Sequence, residues 1–317
     1  MQVSFVIPVK DAAQHVRRCI ASIVANDFPR DQVEVLVVDN DSSDGSAQAA
    51  IEAGATVLRS SAGSVAELRN QAASQARGSI LAFVDADHEI GREWVRTAVD
   101  VLSAADIGAT GAPCMTDPLP NWVQRQYDAM RSRPVAREEV QWLGSGNLAI
   151  KKDVFDGIGG FDAQLTACED VDLCNRLRAA GHRIVADPAM RNVHYGDPKT
   201  LKALFYGELW RGRDNVRVTL RGPKTFRQLR SALIPMVELL AMVAGLVALL
   251  LGYSSLAVLC WLVVLALIGL RAVFILRRLS RPSLTDAAQA MAFATVFDLA
   301  KALALLALGS HRARRSN

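Results

Sequence analysis

Two apolar runs, residues 232–251 and 256–276, restrict what this chain can fold into more than any other feature. Each has about the ~20 residues that a helix needs to cross a hydrocarbon core. In lipid, a lone segment satisfies its own backbone only as a helix. The link Gly252-Tyr-Ser-Ser255 leaves room only for a tight hairpin, so the segments are expected to run out and back. A third apolar stretch, residues 287–308, is interrupted by Asp298 and Lys301, one turn apart. It fits either an in-plane or re-entrant helix, or a third span in which those two charges pair inside a bundle. Glu238, within the first run, either faces a polar headgroup path or sits near the interface.

Charge separates the two halves. Residues 1–198 hold 19 Lys and Arg against 27 Asp and Glu, whereas residues 199–317 hold 17 against 5. The acidic half suits a soluble domain that meets negative ligands through a metal rather than through a basic surface. Between it and the apolar runs, residues 199–230 interleave Lys199, Lys202, Arg211, Arg213, Arg217, Arg221, Lys224, Arg227 and Arg230 with Leu201, Leu204, Phe205, Leu209 and Trp210. That pattern reads as amphipathic helices on anionic lipid, each basic residue contributing about 1 kcal/mol. A nucleic-acid surface is the competing reading, but the apolar run that follows favours a bilayer and no nucleic acid.

Arg271, Arg277, Arg278 and Arg281 crowd the end of the second segment. By the positive-inside rule this places the front half in the cytoplasm, on a bacterial-type inner (plasma) membrane. A third span would leave the basic tail, residues 311–315, on the outside. The start, Met1-Gln-Val-Ser-Phe-Val-Ile-Pro8, enters a strand without the basic leader of a signal peptide. Cys19, Cys114, Cys168, Cys174 and Cys260 have no CxxC or zinc-type spacing and are expected to be reduced thiols. The expected organisation is a catalytic domain over 1–198, a basic juxtamembrane segment over 199–230 and a membrane region over 231–317.

The front half alternates strands and helices, the pattern of an α/β fold with a mostly parallel sheet. Strands are expected over 3–9, 33–38, 56–58, 80–84 and 107–111, and helices over 16–24, 49–53, 65–76 and 91–102. The run 80–84 ends in Asp85-Ala-Asp87, two carboxylates at the carboxyl end of a strand, where open α/β sheets bind ligands. Close carboxylates repel unless a cation lies between them, and a divalent ion holding a diphosphate meets that need. Asp39 ends another strand and either contacts a base or ribose or serves the turn, while Ser42 to Ser46 read as a cap for the next helix. Arg69, on the expected helix 65–76, either forms charge-assisted bonds to a diphosphate or is an ordinary surface arginine. Residues 113–139 read as irregular, and a strand pattern resumes over 141–150, where Gly144 and Gly146 allow close approach of a ligand. Glu169, Asp170 and Asp172 crowd the first turn of a helix, more acid than the macrodipole needs, and one of them suits a general base. His194 follows the last strand and reads as a further metal ligand.

Several segments together resemble family 2 glycosyltransferases of the GT-A fold. They are Val6-Ile-Pro-Val-Lys-Asp11, Val37-Val-Asp-Asn-Asp-Ser-Ser-Asp-Gly-Ser46, Leu68-Arg-Asn70, Phe83-Val-Asp-Ala-Asp87, Gly146-Asn-Leu-Ala-Ile150, Gly159-Gly-Phe-Asp162 and Glu169-Asp-Val-Asp-Leu173, in order over about residues 3–195. The resemblance implies inverting transfer from a nucleotide-diphosphate sugar, UDP by default, with Mg²⁺ or Mn²⁺. It implies Pro8, Asp39, Arg69 and Asp85 on the nucleotide side, and Asp87, Asp85 and His194 at the metal. Asp170 matches the general base, with Glu169 beside it, and Gly146, Asn147 and Trp142 fall on the acceptor side. Processive members carry Gln-x-x-Arg-Trp after the base, where this chain has Gly207-Glu-Leu-Trp-Arg211. That departure, and too few helices for a pore, point to a non-processive enzyme acting on a lipid-linked or membrane-proximal acceptor. A non-catalytic scaffold would have lost carboxylates that this chain retains, and a nucleotidyltransferase would need glycines absent from Val6-Ile-Pro-Val-Lys10.

Overall fold

The computed structural model describes residues 2–306, apart from 62, 132, 134, 224 and 225, and leaves out the side chains of 226–232. Lys224, the side chains of Arg227 and Arg230, and the basic tail at 311–315 therefore lie outside the described residues. The chain forms two compact units, Met1–Asp117 with Arg131–Gly196, and Pro118–Met130 with Asp197–Asn317.

In chain order the first unit contains β1 (Val3–Val9), α1 (Ala13–Val24), β2 (Val33–Asn40), α2 (Ser46–Glu52), β3 (Thr56–Ser60), α3 (Val65–Gln75) and β4 (Ile80–Val84). There follow β5 (His88–Ile90), α4 (Trp94–Leu102), β6 (Ile107–Gly111) and β7 (Met115–Thr116). After an excursion into the second unit come β8 (Glu138–Glu139), β9 (Asn147–Lys151), α6 (Lys152–Gly157), α7 (Glu169–Ala179), β10 (Arg183–Ala186) and β11 (Asn192–His194). The main sheet has eight strands in the order β3-β2-β1-β4-β9-β6-β10-β8. It is parallel from β3 to β4 and between β6 and β10, while β9 runs antiparallel to both β4 and β6. The strands β1, β2 and β4 are apolar nearly throughout because helices cover both faces. Phe5, Val16, Ile20 and Trp94 fill one side and Leu68, Phe83, Phe155 and Leu173 the other.

The pairing of β1 with β4 ends at Val6 and Phe83, so Pro8 lies beyond it and its missing N–H costs no ladder bond there. The acidic loops after β1 and β2 knit together. Ser42 Oγ accepts from Asp11 N (3.0 Å), Ser46 Oγ from Ala12 N (2.8 Å) and Asp44 Oδ2 from Ala13 N (3.0 Å). Ser42 to Ser46 thus serve the N-terminus of α1, and Asp44 Oδ1 also accepts from Ser46 N, the first residue of α2, at 3.0 Å.

A three-stranded sheet in the order β5-β11-β7 stands apart. Its register sets His194 opposite His88, and His194 beside Thr116 on the other edge. The segment expected to be irregular, 113–139, supplies β7, β8 and a helix, α5 (Trp122–Met130), that belongs to the second unit.

The second unit adds α8 (Leu201–Arg211), α9 (Asn215–Arg221), α10 (Phe226–Leu250), α11 (Ser254–Leu276) and α12 (Leu284–Leu306) to α5. Stretches in α10, α11 and α12 are long and apolar enough to cross a membrane. Gly252, at φ +81°, turns α10 into α11 as a left-handed cap. Asp298 does not pair with Lys301, because the two side chains point to different neighbours. Asp298 is buried and accepts from Arg271 Nε of α11 at 2.6 Å, whereas Lys301 lies 4.0 Å from Glu208 of α8. Glu238 is 2% exposed and so is buried within the unit.

Candidate active site

The carboxyl ends of β1, β2 and β4 bring Pro8, Asp39 and Asp85 to one rim of the sheet. Asp39 is 1% exposed. Its Oδ2 accepts a long bond from Ser42 N (3.4 Å), and its Oδ1 is buried without a partner. A buried acceptor is normally satisfied, and no donor among the described residues reaches this atom.

Asp87, His88 and His194 gather just beyond β4, with one donor atom from each lying within 4.8 Å of the others. The β5–β11 pairing makes this cluster, setting the two imidazole rings 4.5 Å apart. His194 Nε2 is 3.2 Å and His88 Nε2 3.7 Å from the Asp87 carboxylate. Burial lowers His88 to about 4, aided by the charge of His194, which leaves the imidazole neutral with a lone pair to offer. Burial works to raise Asp87, but a hydrogen bond from His194 and the charges of both histidines hold it at about 2. Two imidazoles and a carboxylate fit a divalent ion. Glycines make the room. A Cβ on Gly146 would stand 2.6 Å from His88 Cε1 and 2.7 Å from Asp85 Oδ2, and one on Gly196 would strike Asp87 Oδ2.

His88 is absent from the metal residues read from the sequence. Its signal was an unused one: a histidine directly after Asp87, in line to pair across a strand with His194. Asp85, expected at the metal, is outside this cluster. Its Oδ1 takes a hydrogen bond from Arg69 Nη2 at 2.7 Å. Arg69 is buried and also donates from Nη1 to Glu169 Oε1 at 2.8 Å, while its Nε has no partner among the described residues.

The three acids at the start of α7 take separate roles. Glu169 is paired with Arg69 and Asp172 with Arg176, at 2.8 Å each. Asp170 pairs with no cation among the described residues and accepts from Val171 N at 2.8 Å. The residue as a whole is half-buried. Burial, then the neighbouring Glu169 charge, raise Asp170 to about 7, which suits a proton acceptor near neutrality. Cys168, at φ +59°, bends the chain into this turn.

Of the acceptor-side residues, Trp142 is exposed at 46% and Gly146 lines the metal cluster. Asn147 does not face an acceptor. It is fully buried, accepts from Trp94 Nε1 (2.6 Å) and donates to the carbonyls of Ala112 (2.8 Å) and Met190 (3.0 Å). Those bonds use its amide to hold β9 in place.

The glycosyl transferase family 2 model matches residues 4–164. Among curated relatives, glycosyltransferase AglE of Haloferax volcanii is 28% identical over 193 residues, 57% of this chain and 63% of that protein. The O-antigen biosynthesis protein RfbC of Myxococcus xanthus is 27% identical over 221 residues, 61% of this chain and 17% of that protein. The chain thus spans less than two thirds of either relative. Among solved structures, the mannosyltransferase PcManGT of Pyrobaculum calidifontis, in complex with GDP-Man and Mn²⁺, has a TM-score of 0.62 at 18% identity, over 97% of this chain and 86% of that one. Residues 1–349 of Staphylococcus aureus TarS with UDP-GlcNAc give 0.52 at 18% identity, over 66% of each chain. The eight-stranded sheet and the family match agree: this chain belongs to glycosyl transferase family 2 and has the GT-A fold.

Proposed function

We propose that the protein is a membrane-anchored, inverting, non-processive glycosyltransferase. It moves a sugar from a nucleotide-diphosphate sugar to a hydroxyl or phosphate of a lipid-linked or membrane-proximal acceptor. The observation that carries this reading is the short segment Gly144-Ser-Gly146. A Cβ on Gly146 would meet Asp85 and His88, and one on Gly144 would come within 3.7 Å of Asp170. The metal cluster and the carboxylate without a cation therefore flank the same few residues.

In this reading Asp39 Oδ1 receives the donor's base and Pro8 borders it. Asp87, His88 and His194 hold Mg²⁺ or Mn²⁺. Bound there, a divalent ion neutralises charge on the leaving diphosphate. Asp170 takes the proton of an acceptor hydroxyl. The acceptor oxygen then bonds the anomeric carbon from the face opposite the departing diphosphate, which leaves with the electron pair of the broken bond. One displacement inverts that carbon. The three apolar helices anchor the chain in a bacterial-type inner membrane, with basic α8 and α9 on anionic lipid and the catalytic unit in the cytoplasm.

The test is nucleoside diphosphate release by the detergent-solubilised protein, given Mn²⁺, a polyprenyl phosphate and a panel of nucleotide sugars. Release from one donor is expected, with loss in Asp87→Ala and Asp170→Asn. No release from any donor, together with no binding of any nucleoside diphosphate, would leave the scaffold reading standing.

A further inference from the structure

We propose that α12 does not cross the membrane: it lies along the leaflet from which α10 enters, so that residues 199–306 cross twice, in α10 and α11. This rests on the membrane anchoring proposed above and not on the reaction.

Helix α8 sets the plane. Lys202, Tyr206 and Trp210 are exposed along α8, and Arg213 is exposed just past its end. Upright in a bilayer, α8 would carry one of those cations into hydrocarbon, so it lies flat at headgroup level. Helix α12 runs beside it in the same direction. Leu204 shares one cluster with Phe293 and Phe297, Glu208 lies 4.0 Å from Lys301, and a Cβ on Gly212 would stand 2.5 Å from Ala304 Cβ. A helix packed beside α8 over that length shares its plane. The first turn of α12 is held by another polar helix. Asp286 accepts from Arg125 Nη2 of α5 at 3.0 Å. Asn121, just before α5, is tied in turn to the start of α8, donating from Nδ2 to Lys199 O at 2.8 Å. Both ends of α12 therefore meet helices that belong at the membrane surface.

Depth gives the same answer. Arg271 lies within two turns of the end of α11 at Leu276, about 8 Å of helix rise. Its Nε donates at 2.6 Å to Asp298, which stands just past the middle of α12. In a crossing helix that middle would be about 15 Å from either surface of a ~30 Å core. An arginine side chain reaches towards the surface rather than deeper into hydrocarbon. The middle of α12 is thus as shallow as Arg271. Packing agrees, since 50% of the apolar stretch of α12 is buried within the unit, against 22% in α10 and α11. The charges that interrupt α12 then have a use. Asp298 binds α11 and Lys301 faces α8, so together they clamp the helix between the apolar hairpin and the surface helices.

The test uses the full-length chain in bacterial cells. A fluorescent protein that matures only in the cytoplasm, and alkaline phosphatase, active only outside it, are fused in turn to each terminus. Tyr253→Cys, at the exposed turn between α10 and α11, is probed with a membrane-impermeant maleimide. Fluorescence without phosphatase activity is expected at both termini, with Tyr253→Cys labelled from outside. Termini on opposite sides would mean an odd number of crossings and overturn the proposal. Both termini outside, with Tyr253→Cys labelled only after the cells are opened, would support it while refuting the cytoplasmic placement of the catalytic unit. Tyr253→Cys on the same side as both termini would refute the anchoring and the proposal with it. None of these readouts needs turnover, so a failed transfer assay leaves them unchanged.

Discussion

Asp39→Asn should improve the folded protein and damage its binding. The side chain is 1% exposed, one oxygen holds a 3.4 Å contact with Ser42 N, and the other has no partner. An unsatisfied buried polar group costs about 1–3 kcal/mol, more when charged. Replacing the carboxylate by an amide of equal size removes the charged part of that cost. A gain of about 1 kcal/mol is expected, or about 2–4 °C in Tm for a unit of this size. With ligand present the sign reverses. A hydrogen bond to a charged acceptor is worth about 1.5–3 kcal/mol, so nucleotide affinity should fall about 10- to 150-fold. Thermal unfolding of the detergent-solubilised protein reads the first effect and calorimetry with Mn²⁺ and UDP or GDP the second. A variant that melts lower while binding nucleotide as well as the wild type would refute the reasoning, because Asp39 would then be a structural residue.

Asn147→Ala removes three buried hydrogen bonds and leaves the Trp94 indole N–H unsatisfied, so a loss of about 3 kcal/mol or more is expected by thermal unfolding. Gly146→Ala should lower Mn²⁺ affinity more than stability, since its Cβ falls on His88 of the cluster and on Asp85 beside it rather than in the core; metal titration followed by calorimetry checks it. The Asp170 carboxyl lies at about 7 and accepts a proton only when ionised. The rate should therefore rise with pH up to that point, falling about tenfold per unit below it, and Asp170→Asn should lose about 10²–10⁴ in kcat. His88→Gln should weaken Mn²⁺ more than Mg²⁺, because imidazole suits transition metals and Mg²⁺ prefers oxygen; competition titrations of the two ions report it.

Residues at strand ends were legible because burial and charge change there within one or two positions. The apolar run 80–84 stopping at Asp85 says where a sheet ends, and Asp39 and His194 follow the same logic. The three apolar helices were legible from length alone. Pairings across the fold were not. Nothing local says that His88 faces His194, since their register depends on an antiparallel pairing of segments over a hundred residues apart. Arg69 looks like an exposed helix arginine until Asp85 and Glu169 close on it. Asn147 sits between glycines and a strand, a setting that suits a ligand contact, yet its amide is consumed by Trp94, Ala112 and Met190. The serines at 42–46 carry capping chemistry, but the helix they serve precedes them by thirty residues. α5 is short and mixed in character, and its apolar face acquires meaning only against Phe293 and its neighbours in α12.

Electron paramagnetic resonance of Mn²⁺ bound to the full-length protein, with and without a nucleoside diphosphate, addresses the active site most directly. Nitrogen couplings from two imidazoles are expected, reduced to one in His88→Gln, with a phosphorus coupling appearing when the diphosphate is added. Bound Mn²⁺ that shows neither coupling would contradict the account.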